Sequence, residues 1–208
     1  MASGLRWMRP PPAQAVRTAL WVLAVVILVS ILYATAHRVT LKPADPLSPY
    51  LWTATLASAM TAVLGALAAF EIGQPGHSRW WPLLPMPALA LWFAATGFGC
   101  IGTLFAPNSW GVVAPEAMEC LLFILGTAVP LSVGLLTLIR WAKPRHPTLV
   151  GAIGGLAVAA TAVSLLTLVH PHNSALLDIL AHGVGVAVVV AANVALAGRW
   201  SRNRMATL

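Results

Sequence analysis

The sequence predicts an all-α, polytopic membrane bundle of six transmembrane helices, with both termini on the inner side. Three observations predict it. Of 208 residues, 59% are hydrophobic and only 8% are charged, where a soluble domain carries roughly 25% charged residues. Six apolar segments, at about 18–36, 50–70, 82–105, 117–139, 149–169 and 175–197, each approach the ~20 residues that cross a bilayer. None of them carries the charged face of a surface-lying helix. The third observation is the placement of Lys and Arg. Arg6, Arg9 and Arg17 precede the first segment, and Arg79 separates the second from the third. Arg140, Lys143 and Arg145 separate the fourth from the fifth, and Arg199, Arg202 and Arg204 follow the sixth. The other connections hold only Arg38 and Lys42, a strong positive-inside bias. The expected organisation is a cytoplasmic tail over 1–17, a transmembrane domain over 18–198 and a cytoplasmic tail over 199–208. The net charge of +7 therefore reads as topology. The basic residues are too scattered for a nucleic-acid stripe, so no direct nucleic-acid contact is expected.

In chain order, Pro10, Pro11 and Pro12 keep the start of the chain extended. The first segment ends Ala34-Thr35-Ala36, which resembles a signal-peptidase site. Its run from Thr18 is longer than a signal core of about 7–15 residues, so it reads as a retained helix. Small residues recur every four positions at Ser58, Ala62 and Ala66, at Gly151, Gly155 and Ala159, and at Ala187, Ala191 and Ala195. Such stripes let helix backbones approach in lipid. Trp80 and Trp81 suit the membrane interface. Pro82, Pro85 and Pro87 should distort the start of the third segment, and Pro130 should kink the fourth.

The stretch from Arg140 to His182 has a sided layout, with a basic loop at one end of an apolar hairpin and ligand-type side chains at the other. Cys100, Cys120, His170, His172, Asp178 and His182 gather toward the outer end, with His37, Glu116 and Glu119 nearby. Asp178 and His182 share a helical face, as do Glu116 and Cys120. At 1.5 Å per residue, His182 lies roughly 10 Å in from its turn. Ionisable groups inside a membrane are costly and usually face the bundle interior. The set makes a candidate sensor or metal site, and soft thiolates with imidazoles favour zinc or copper(I). The plainer alternative is that Asp178 and His182 simply pair. A Cys100–Cys120 disulfide is a separate alternative, which needs Cα atoms within about 7 Å. Sequence signatures of catalysis are missing: there is no HExxH, no Walker A and no GxSxG, so no enzyme is expected.

The six-segment pattern, with LWFAATGFGC and then ECLLFILGTAVPLSVGLLTLIRWAKPRHPTLVGAIGGLAVAATAVSLLTLVH, resembles the bacterial family called negative regulator of sigma F. Those proteins are multi-pass inner-membrane anti-sigma factors for extracytoplasmic-function sigma factors, acting in signal transduction and stress response. The similarity covers nearly the whole chain and rests on the order and spacing of its motifs. It implies a sigma factor as partner, with the membrane lipid around the bundle. It matches Cys120 to the family's cysteine at the opening of the fourth helix, and His170 to the histidine ending the fifth. Where members commonly read His-Cys-Pro-Glu, this chain reads His170-Pro171-His172-Asn173. The second family cysteine is absent, which leaves His172 or Cys100 as its substitute. The family's partner-holding tail corresponds here to a shortened GLRWMRPPPAQAVR, so Leu5, Arg6, Trp7, Arg9, Pro10 and Arg17 are the expected sigma-factor contacts. A small membrane protein binding a metal or redox cofactor, or a subunit of a transporter or larger complex, is the alternative reading.

Overall fold

A computed structural model of the chain describes residues 14–36, 49–74, 76–104, 114–142, 144–169 and 176–205. They form six helices: α1 Gln14–Ala36, α2 Pro49–Ile72, α3 Met86–Leu104, α4 Ala114–Ala142, α5 Pro147–Val169 and α6 Leu176–Met205. There is no strand among the described residues. Four of the helices contain spans long and apolar enough to cross a membrane: Trp52–Ile72, Met118–Arg140, Pro147–Thr167 and Leu180–Trp200. In α1 the apolar stretch Val16–Leu28 is shorter.

Local chemistry accounts for the boundaries. Two helices, α2 and α5, open on a proline (Pro49 and Pro147), where the missing N–H costs no helical hydrogen bond. The third helix starts at Met86 and not at 82, because Trp81–Leu83 form a 3-10 turn around Pro82. The preceding turn passes through Gly76 at φ 83°, a conformation that side chains disfavour. Pro130 sits inside α4, on an exposed face. The sixth helix runs past its apolar stretch to Met205, since nothing in Arg199–Met205 breaks a helix.

The packing centres on α5, whose span is 78% buried against 28% for that of α6. On one side, a Cβ at Gly151 would meet the Asn193 carbonyl oxygen at 2.8 Å, and one at Gly155 would meet Val190 Cα at 2.9 Å. On another, Gly154 faces Leu135 of α4, and Gly65 of α2 faces Ala157. Hydroxyl pairs join the same helices. Thr55 donates to Thr167 at 3.1 Å, and Ser164 donates to Ser58 at 2.8 Å. These pairings make α5 antiparallel to α2 and to α6. The Asn193 amide donates to Ser132 Oγ at 2.9 Å, which ties α6 to the parallel α4.

Two of the three small-residue stripes are buried as expected. The third is not: Ala187, Ala191 and Ala195 are exposed, and α6 packs through Gly185, Val189, Asn193 and Ala197. An Ala/Val-rich helix offers several four-residue ladders, and Gly151 and Gly155 select the one that faces them. Outside this core, α3 packs mainly on α2, and α1 touches α2, α4 and α5 along a narrow seam. Both α1 and α4 keep broad apolar faces exposed, including Leu23, Val26, Leu122 and Val133. In a membrane protein such faces meet lipid.

Gly155→Leu should lower thermal stability in detergent, because the new side chain meets backbone; overpacking costs about 1–3 kcal/mol or more. Gly126→Leu, with nothing within 4 Å of its Cβ position, should leave the melting temperature nearly unchanged.

Candidate functional site

Helix direction sorts the polar residues onto two ends. One end gathers the start of α1, the C-terminal ends of α2, α4 and α6, and the start of α5. Here Arg79, Arg140, Arg145 and Arg199 are exposed. Arg140 lies 5.5 Å from the Trp200 ring centroid and Arg79 lies 5.3 Å from that of Trp80. The rings of His77 and His146 meet edge to face at 6.2 Å, which joins the α2–α3 and α4–α5 connections. Gln74 supplies a carbonyl 3.1 Å from His77 Nδ1.

Arg17 belongs to this basic end but does not present itself to a partner. It is 2% exposed, and Glu71 at the end of α2 is the acidic group whose charge acts on it. Its Nε and Nη1 atoms are buried with no hydrogen-bond acceptor among the described residues. Trp21, one helical turn on, is buried beside it, and the partly buried Val25 and Leu28 continue the seam. Leu5, Arg6, Trp7, Arg9 and Pro10 lie outside the described residues.

At the far end, Cys120 and His182 are both buried, 3% and 4% exposed. Ser132 faces Asn193 and Ile124 faces Gly185, with the same offset along the chain. Continuing that offset brings Cys120 level with Ala181, one residue before His182 on the neighbouring helix. Cys100 lies in the last turns of α3 and Asp178 in the first turn of α6, but their side chains fall outside what is described, as do His170 and His172 entirely. The main neighbours of the two cysteine-bearing helices differ: α4 packs on α5 and α6, while α3 packs on α2. Among the described residues no group of three or more His, Cys, Asp or Glu is placed to hold a metal. Cys120 and His182 are both buried toward this end, on the neighbouring helices α4 and α6.

Between these ends, a cavity of about 80 Å³ separates α3 from α6, bordered by Leu89, Trp92, Phe93, Ala160, Val163 and Gly183. The hydroxyls of Ser58 and Thr61 also border it but donate to the carbonyls of Thr55 and Ala57. It can admit an apolar group only.

The residues least visible in the sequence were Glu71, His77, His146 and Trp21. Glu71 carried one signal: it is the lone acid on its side of the presumed membrane. The histidines meet only through the packing of two distant connections, which no local pattern encodes.

The architecture thus defines a class, an all-helical membrane-type bundle with a basic end and a buried cysteine and histidine toward the other. The family model described as negative regulator of sigma F matches residues 1–202, and the chain belongs to that family. Comparison with curated proteins gave no match, and neither did comparison with solved structures.

An apolar side chain of similar volume at position 17 removes the cost of burying Nε and Nη1 without hydrogen bonds, while the half-exposed Glu71 keeps its access to water. Arg17→Met should therefore hold or raise the melting temperature. Glu71→Gln, which leaves the Arg17 charge without its counter-charge, should lower it. Thermal unfolding in one detergent compares the two.

Proposed function

We propose that the chain is a six-span inner-membrane anti-sigma factor with both termini in the cytoplasm. It holds an extracytoplasmic-function sigma factor away from RNA polymerase and releases it on an envelope signal. The observation that carries this reading is membership, over 1–202, of a family of negative regulators of sigma F. The arginines gathered at one end support the orientation, since cytoplasmic ends carry the excess of Lys and Arg. In this reading Leu5, Arg6, Trp7, Arg9 and Pro10 contact the sigma factor. Arg17, buried against Glu71's helix, positions the tail that carries them.

The far end carries the sensor. Its centre is Cys120 with His182, and Cys100, His170, His172 and Asp178 complete the candidate set. Zinc or copper(I) is the metal such donors suit. A signal bound there acts only by its different affinity for the holding and releasing states, and couplings of about 1–3 kcal/mol are typical. The lightly held α1 connects that change to the tail. Its buried seam is Arg17 and Trp21, and most of its other apolar side chains face outward. No catalytic step is involved.

A pull-down from solubilised membranes, comparing the full chain with one lacking Ala2–Gln14, tests the reading. A sigma factor should be recovered with the full chain and lost with the truncation. Recovery with both would move the contact to the inner connections. Recovery with neither, together with stoichiometric metal in the purified protein, would favour a metal-binding membrane protein instead.

Cys120→Ser and His182→Ala should each alter signal-dependent release while leaving sigma-factor recovery in unstressed cells within about two-fold. A reporter driven by the sigma factor reads the first effect, and the pull-down reads the second. Loss of binding in both variants would mean that the pair only holds the fold.

A further inference from the structure

The basic end has a property that topology does not require. Of the five acidic residues, Asp45, Glu116, Glu119 and Asp178 all belong to the other end, and only Glu71 belongs to this one. Glu71 is only half-exposed and acts on Arg17. The positive-inside rule explains where Lys and Arg fall, but Asp and Glu contribute little to it. The removal of acids from this end therefore needs another cause.

The exposed side chains at this end also form a surface held in place. Arg79 lies against Trp80, which is itself 63% exposed. Arg145 and His146 sit in the next basic connection, and the His77–His146 contact fixes that connection against the first. Arg140 is held over Trp200, with the exposed Arg199 beside it. Exposed cations around aromatic side chains, with Glu71 the lone acidic side chain at that end, suit an acidic protein surface with apolar points of contact.

Resting on the anti-sigma reading above, we infer that the plate formed by His77, Arg79, Trp80, Arg145 and His146 is a second docking surface for the sigma factor, and that it binds an acidic face of that protein. A sigma factor must also present a basic surface to promoter DNA, a polyanion. A cationic plate repels that surface, so it does not imitate DNA. It captures the opposite, acidic side. The tail and the plate together then form a two-point attachment, in which the second contact is intramolecular and raises affinity without any new contact chemistry.

The test uses the full chain in nanodiscs of zwitterionic phosphatidylcholine and the sigma factor recovered by the pull-down. Wild-type binding should weaken about ten-fold between about 0.1 and 0.5 M salt, as screened charge pairs do. The double variant R79E/R145E should bind at least about ten-fold more weakly, because it places like charges against the partner. R79K/R145K should bind within about three-fold of wild type, and its melting temperature checks the fold. Wild-type binding with no salt dependence, or an R79E/R145E variant that melts normally and binds normally, overturns the plate but leaves the anti-sigma reading intact. An effect of the charge reversal that appears only when phosphatidylglycerol is present assigns the plate to anionic lipid and also overturns it. Failure of the wild-type chain to bind any sigma factor removes the anti-sigma reading, and the plate's proposed partner with it.

Discussion

Close backbone approach around α5 is the constraint on which the rest of the bundle depends. In lipid no hydrophobic force drives helices together, so association rests on van der Waals contact and the occasional hydrogen bond. The fifth helix meets that condition on three sides. Gly151 and Gly155 admit the α6 backbone, Gly154 admits Leu135 of α4, and Ala157 meets Gly65 of α2. A larger side chain at any of these positions pushes against backbone or a packed neighbour. The positions of α2, α4 and α6 are thus set by one helix.

Hydrogen bonds then choose among the registers that packing permits. Thr55–Thr167 and Ser58–Ser164 fix α2 on α5, and Asn193–Ser132 fixes α6 beside α4. Interhelical bonds of this kind contribute only about 0.6 kcal/mol on average. Ser58, Ser164, Thr167 and Asn193 also reach carbonyls of their own helices, so a slipped register loses the pairings without stranding these groups. The register these bonds select also brings Cys120 to within one residue of level with His182 along the α4–α6 seam.

The six helices were legible because an apolar run of membrane length admits few alternatives, and because prolines at 82 and 85 mark the start of the third. Family membership was legible in the order of motifs from Cys100 to His170. The partners of each helix were less so. Ala187, Ala191 and Ala195 looked like a packing stripe, yet the face used is the one that meets Gly151 and Gly155. Arg17 looked like a partner contact, since an arginine flanking an apolar segment is normally solvated. Its burial against Glu71 depends on α2 returning to the same end, and that information lies more than fifty residues away.

The narrow seam of α1 also bears on how the protein is assembled. The seam is made against α2, α4 and α5, so α1 finds its full set of neighbours only once α5 is made. On the proposed topology, α1 stands in the bilayer until then, with its apolar sides toward lipid and Arg17 at the headgroup level. A charge there is well solvated during the wait and gives up that solvation only on docking. The first helix is thus made to be stable alone and only lightly bound afterwards.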